Sequence, residues 1–284
     1  MSVYRIRLFY VNNDKDSQQL TKKKYEQSCR ALWNREYGEK GKIYIVDSES
    51  EDDTFSHAIL FDQAMPLLSI DKSKVLGMAT QPGEPSPAFI HFAKQYIGKY
   101  LIGDLPTSLV NAEPGTHPFV EHFSYLTYQH PFTPIKEKTK IMSLVVPDKI
   151  KSLGNAYLFQ IVKLIQSNKL PIDLFFSPQD ISEPYVHHAF TIIVESTPSK
   201  CFFSHPVVEA MLHGCKPLYL GCITIEKVFS EDSLIHLVGN LREDMNKVLE
   251  ILKSPTEFYK EGIQDVNEIR NRLNLIQHLP ELFP

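Results

Sequence analysis

Hydrophobic positions in this chain come in short runs, separated by polar or proline-rich breaks. Tyr4–Tyr10 alternates apolar and polar residues with the period of a strand. Ser17–Tyr37 is polar, with Leu20, Tyr25, Cys29, Leu32 and Trp33 spaced for one buried helical face. Lys42–Val46 and Ala58–Phe61 predict buried strands, and Lys74–Ala79 a further strand. Gln81–Pro87 reads as a rigid proline-rich loop, Ala88–Ile97 as a helix and Tyr100–Ile102 as extended chain. Periodicity is weak from Pro106 to Pro134, and Pro131–Lys138 reads as a linker. The pattern then restarts: Lys140–Val146 strand, Leu153–Gln166 helix, Ile172–Phe176 strand. After Gly221 it predicts a short helix over Ile223–Phe229, a strand over Leu234–Leu237, and closing helices over Glu243–Leu252 and Thr256–Leu273.

Phe190–Gly221 carries the strongest signal. An apolar run, Phe190–Val194, stops at Glu195; a polar loop, Ser196–Lys200, follows; a helical segment bearing Glu209 leads to the break at Gly214–Pro217; a second apolar run, Leu218–Leu220, ends at Gly221. This is one βαβ unit. Open α/β sheets bind ligands at the carboxyl ends of strands and at helix N-termini. Glu195, Ser196, Thr197, Ser199, Lys200 and Ser204 fall there. A carboxylate suits a sugar or ribose diol, and hydroxyls, a lysine and helix N–H groups suit a diphosphate. The chemistry suggested is nucleotide-sugar binding. The alternative for Glu195 is a helix cap or a loop charge, and for Glu209 an i,i+4 pair with His205.

Composition narrows the classes. The chain has 284 residues, is 43% hydrophobic, and carries 30 basic against 34 acidic residues. That is a globular chain without the net basic field of a nucleic-acid binder. Lysines cluster at Lys22–Lys24 and Lys136–Lys140 and read as solvated surface. The acidic run Asp47–Asp53 reads as a solvated loop before a metal-binding one. The adjacent His187 and His188 read as surface loop rather than as metal ligands. Cys29, Cys201, Cys215 and Cys222 show no C-x-x-C spacing, so buried free thiols are expected. No signal peptide is visible and no run approaches the ~20 apolar residues of a membrane span. The expectation is a soluble, cytoplasmic protein, of bacterial origin or a viral protein in host cytosol.

The second half resembles the α1,3-fucosyltransferase family. Phe190-Thr-Ile192, Glu195-Ser196-Thr197, Phe202–Pro206, and Ala210 and Gly214 through Pro217-Leu218-Tyr219-Leu220-Gly221 follow that family's pattern without a gap. Lys140–Ile165 resembles its strand, turn and G-x-x-L-R helix, and Tyr185 and Phe190 its approach to the glutamate. In the first half only Glu84-Pro85, after a strand, is similar. Two cationic positions depart: the family's arginine falls on Phe159, and its Glu-Lys pair on His205 and Pro206. Glu209–Pro217 is also similar to the E-A-x-x-x-G-x-P helix of many GT-B enzymes, whose glutamate holds the ribose. Thr197-Pro198-Ser199 with Gly214–Pro217 is more weakly similar to exostosin-like transferases.

The resemblance implies an α/β, GT-B-like fold of two Rossmann-like domains facing a central cleft: an acceptor-side domain over 1–135 and a donor domain with terminal helices over 136–284. It implies an inverting glycosyltransferase that moves a sugar from a nucleoside-diphosphate sugar, GDP-fucose or a UDP-sugar such as UDP-xylose, to a glycan hydroxyl. The donor contacts would be Glu195, Ser196, Thr197, Lys200, Ser204, His205, Glu209 and Tyr185. With the two cationic positions lost, Lys200 is expected to carry most of the phosphate attraction, His205 less, and Lys216 least. The general base would be Glu84, or Asp62 after the Ala58–Phe61 strand. No metal or other cofactor is expected. The alternative is a catalytically degenerate GT-B module that binds a glycan or a partner protein. In either case Glu195 is expected to be solvent-reachable and dispensable for folding.

Overall fold

A computed structural model describes residues 2–11, 42–47, 55–113, 115–123, 125, 137–178, 180, 182–259 and 266–283. The helix expected over Ser17–Tyr37, Cys29, the Lys22–Lys24 cluster, the acidic run beyond Asp47 and most of the expected linker lie outside these residues. Two compact units are present: Met1–His130 with Arg270–Pro284, and Pro131–Ile269.

The first unit is a parallel sheet in the order β2-β1-β3-β4-β5-β6. Its strands are β1 (Ser2–Phe9), β2 (Lys42–Asp47), β3 (His57–Phe61), β4 (Val75–Met78), β5 (Lys99–Ile102) and β6 (Phe119–Glu121). The continuous apolar runs are buried on both faces, as parallel strands between helical layers must be. Ile59, Phe61, Leu76, Met78 and Leu101 enter one core. Ala58, Leu60, Val75, Tyr100 and Ile102 enter the other, against Phe89, Ala93 and Ile97 around helix α1 (Pro87–Tyr96). Ser86 caps α1 by accepting from the Phe89 amide at 3.3 Å, with Pro87 at the first helical position.

The second unit is a parallel sheet in the order β11-β10-β9-β7-β8. The strands are β7 (Lys140–Val146), β8 (Ile172–Phe176), β9 (His188–Val194), β10 (Lys216–Leu220) and β11 (Ile235–His236). Helices α2 (Leu153–Ser167), α3 (Glu183–Val186), α4 (His205–Leu212), α5 (Leu241–Lys253) and α6 (Pro255–Phe258) accompany it. Leu158, Ile161, Val162 and Ile165 of α2 and Met245, Val248 and Ile251 of α5 pack on Phe190, Ile192 and Leu144.

The end of the chain returns to the first unit, and two expectations are corrected. Helix α8 (Leu275–Leu282) follows α7 (Val266–Leu273), and Leu275, Leu279 and Phe283 bury themselves in the first unit's core beside Ile6 and Leu8. The single helix expected over Thr256–Leu273 is not continuous, since α6 ends at Phe258. His188 is not on a surface loop: it is buried on β9, with Nε2 3.0 Å from Asp173 Oδ2.

Candidate functional site

In each sheet the first strand of the unit has neighbours on both sides, so the chain reverses its winding direction there. Such a switch point leaves an opening at the carboxyl ends of the two strands that flank it. In the first unit these strands are β1 and β3; in the second they are β7 and β9.

The first opening holds a cavity of about 510 Å³. Tyr10 and Val11 follow β1, Asp62 and Gln63 follow β3, and Ala79 to Pro85 follow β4; Tyr100 and Ile102 of β5 also line it. Asp62 anchors the loop after β4. Its carboxylate accepts from the Thr80 amide at 2.7 Å and from the Thr80 hydroxyl at 2.8 and 3.0 Å. The same residue is held at φ 55°, a left-handed conformation unusual for a residue with a side chain. Its carbonyl accepts from the buried Tyr100 hydroxyl at 2.7 Å. Burial raises the Asp62 pKa, against the lowering effect of the Thr80 and Gln81 donors. At the far end of the loop, Gln63 Oε1 accepts from the Ser86 amide at 3.0 Å. Between these anchors Glu84 is exposed and accepts from the Thr107 amide at 2.7 Å and its hydroxyl at 3.3 Å. Both candidate bases therefore line one cavity. Both oxygens of each accept from one threonine, Thr107 for Glu84 and Thr80 for Asp62, and Glu84 is the more open to solvent.

The second opening is built around Glu195, and here the expectation of a solvent-reachable carboxylate is wrong. Glu195 is 6% exposed. Its Oε1 accepts from the Ser204 amide at 2.8 Å, the Ser204 hydroxyl at 2.9 Å and the Tyr219 hydroxyl at 3.2 Å. These bonds tie the end of β9 to the start of α4 and to β10. Burial raises the Glu195 pKa, and the Ser204 and Tyr219 donors oppose the rise. Two glycines make the burial possible. A Cβ at Gly221 would strike the Glu195 Cγ, and a Cβ at Gly154, in the first turn of α2, would strike the Glu195 carbonyl oxygen. The Gly154 amide donates to the Ser196 carbonyl at 3.3 Å, so the loops after β7 and β9 are joined.

The remaining expected donor contacts separate. Ser196, Thr197 and Lys200 are exposed on the loop after β9, and Ser204 reaches Glu195. The Lys200 carbonyl accepts from Thr224 and from the Cys222 thiol, which fixes the loop's course. His205 and Glu209 share one face of α4, but Glu209 sits between two imidazoles. Its Oε1 is 3.3 Å from His205 Nε2 and its Oε2 is 3.6 Å from His213 Nε2. Tyr185 is buried on α3, and burial raises its pKa. Lys216 is 6% exposed and donates to the Phe258 carbonyl at 3.2 Å, so its ammonium is spent on structure. Phe159, at the family's arginine position, packs against the hydrophobic core of this unit.

Sequence reasoning missed the loop between β7 and α2. Lys149 and Lys151 are exposed on it, immediately before the N-cap Ser152, and neither has an ion pair among the described residues. The loop is braced on one side by Asp148, which accepts from the Ser177 hydroxyl, and on the other by the Gly154–Ser196 bond. The signal was present as Lys149-Ile150-Lys151 between a strand and a capping serine.

With two parallel sheets, each opening at a switch point, solved structures supply the comparison. The chain is similar to an α1,3-fucosyltransferase solved with GDP, at TM-score 0.56 and 11% identity over 96% of this chain and 82% of that one. It is similar to a glycosyltransferase from Rickettsia africae ESF-5, at TM-score 0.59 and 12% identity over 99% and 97% of the two chains. A third likeness is to Anabaena HepE in complex with UDP-glucose, at TM-score 0.52 and 8% identity over 98% of each chain. The fold is that of a GT-B glycosyltransferase. No family model matches the chain, and no curated protein matches it in sequence. The likeness therefore establishes the GT-B fold, and the chemistry must be argued from residues. Among the described residues no group of His, Cys, Asp and Glu is arranged to hold a metal ion, and no helix is long and apolar enough to cross a membrane.

Proposed function

We propose that this chain is an inverting glycosyltransferase that transfers a sugar from a nucleoside-diphosphate sugar, GDP-fucose or a UDP-sugar, to a saccharide hydroxyl. The observation that carries the reading is the cavity at the first switch point, where Glu84 stands exposed on a loop anchored at both ends. Glu84 is the general base. It takes the proton of the acceptor hydroxyl as that oxygen attacks the anomeric carbon from the face opposite the diphosphate. The bond from the anomeric carbon to the phosphate oxygen breaks, and the nucleoside diphosphate leaves. Asp62 positions the loop through Thr80 instead of touching substrate. A base held in place before substrate binds contributes about 10²–10⁴-fold to such a step.

On this reading the donor lies at the second switch point. Ser196 and Thr197 present hydroxyls to the diphosphate beside His205 at the start of α4, and Lys149, Lys151 and Lys200 supply positive charge from the two joined loops. The developing charge on the leaving diphosphate is then met by donors and cations of the protein itself. Glu195 does not contact the sugar; it fixes the start of α4.

A second reading, a GT-B module without turnover that binds a glycan or a partner protein, is favoured by one observation. Glu195 and Glu209, the carboxylates that would meet sugar and ribose, are both occupied within the protein. Thermal melts with GDP, UDP and their sugars, together with release of free nucleotide from each donor, separate the two. Stabilisation plus nucleotide release supports the transferase. Silence across the panel leaves the module.

A further inference from the structure

The cavity of the first unit has a charge pattern that restricts what enters it. Its lining includes Asp62 and Glu84 and, among the described residues, no lysine, arginine or histidine. Each carboxylate accepts hydrogen bonds from a neutral threonine, and neither makes an ion pair among the described residues. The rest of the wall is apolar or uncharged: tyrosine and proline faces at Tyr10, Tyr100, Pro82 and Pro85, with the amides of Gln63 and Gln81. At about 510 Å³ the cavity falls within the size range of small-molecule sites.

Two acidic residues in the wall of a concave, partly apolar space, neither ion-paired among the described residues, create a negative potential that low-dielectric walls concentrate. Sugar hydroxyls can donate to the exposed Glu84 in charge-assisted bonds, while the C–H faces of the ring lie on the aromatic and proline surfaces; Asp62, held by Thr80, contributes its charge without touching the sugar. A carboxylate, sulfate or phosphate on the ligand offers only acceptors to a wall that needs donors, and adds like-charge repulsion.

We propose that this cavity takes its saccharide in a form free of anionic groups, neutral or amino-bearing, and that Asp62 and Glu84 together exclude acceptors with an anion beside the reacting hydroxyl. The proposal rests on the transferase reading for the word acceptor. The charge selection itself follows from the cavity.

The test uses the full chain and measures binding, not turnover. Methyl glycosides of glucose and galactose, of the corresponding free-amine 2-amino sugars, and of the corresponding uronic acids and 6-sulfates are compared by saturation-transfer NMR at low and high salt. The neutral and amino forms should bind, the anionic forms at least about ten-fold more weakly. Salt should narrow the gap. The Glu84→Gln variant should narrow it too, by removing a charge without removing the side chain's volume. Equal binding of anionic and neutral forms, or binding by no member of the series, overturns the proposal. The donor side is read separately, as nucleotide-dependent stabilisation. Charge-selective saccharide binding without any nucleotide effect upholds this inference and removes the transferase reading. Nucleotide binding with an undiscriminated saccharide series does the reverse.

Discussion

The Tyr219 hydroxyl donates to Glu195 Oε1 at 3.2 Å while accepting the Cys222 amide at 2.8 Å, so one phenol links the ends of two adjacent strands and the loop beyond them. A strand-end carboxylate that looks free for ligand in the sequence is therefore a central support of its unit.

Replacing Glu195 separates support from charge. Glu195→Ala leaves the Ser204 amide and hydroxyl and the Tyr219 hydroxyl without their acceptor. Stranded buried donors cost about 1–3 kcal/mol each, so urea midpoints should fall clearly. Glu195→Gln keeps an accepting oxygen and should hold most of the stability.

The same pair of variants tests the pH dependence. Burial raises the Glu195 pKa, so the folded protein binds this proton more tightly than the unfolded chain does. The resulting stability is fully present below the unfolded value of about 4.5 and is lost as pH rises through the folded pKa. Half-buried Asp62 acts in the same direction in the first unit, starting from its own unfolded value of about 3.8. Melting temperatures from pH 4 upward should show a decline in the wild type that Glu195→Gln reduces. A wild-type curve that climbs with pH and is unchanged by the variant contradicts the raised pKa.

Gly154→Ala offers a test in which two effects have opposite signs. Helix propensity alone favours alanine in α2 by about 1 kcal/mol. The new Cβ, however, would meet the Glu195 carbonyl, which is backbone and cannot rotate away. Overpacking of this kind costs about 1–3 kcal/mol. Net destabilisation is expected, and Gly221→Ala should behave likewise against the Glu195 side chain. A more stable Gly154→Ala protein refutes the close approach.

Phosphate affinity should depend on the loop between β7 and α2. Neutralising Lys149 and Lys151 together to Gln should weaken GDP or UDP binding by about ten-fold or more and flatten its salt dependence, given about 1.5–3 kcal/mol per hydrogen bond to a charged group. Lys200→Gln should have a smaller effect of the same kind. Lys163→Gln, exposed on α2 beyond its first turns, should have none. Titration calorimetry on the four proteins decides.

In the first unit, Glu84→Gln should cut transfer by about 10²–10⁴-fold while leaving nucleotide affinity unchanged. Asp62→Asn, which keeps one oxygen for Thr80, should cost less. Initial rates at saturating donor distinguish the two.

Much of the architecture was legible in order and type. Ala58–Phe61, Lys140–Val146 and Phe190–Val194 are apolar runs bounded by turns, and a parallel strand covered on both faces has no other pattern to show. Leu153–Gln166 was legible from its period, and the structure adds the cap at Ser152. Helix α8 was not read, because Pro280 interrupts its pattern and its apolar residues face a core made by strands far earlier in the chain. The three-residue β6 was missed because it is too short to show a period.

For the site, sequence alone determined which residues stand at the carboxyl ends of strands, since strand boundaries are local. Glu84, Asp62, Glu195 and the loop after β9 were found that way. What each carboxylate faces is not local. Glu195 is buried because Gly154 and Gly221, far from each other in sequence, both lack a side chain and let two loops close over it. Asp62 is committed to Thr80, and Glu209 lies between two histidines, through contacts that only packing brings about. Burial and hydrogen bonding separate a carboxylate that meets a ligand from one that holds the fold, and both are properties of the assembled chain.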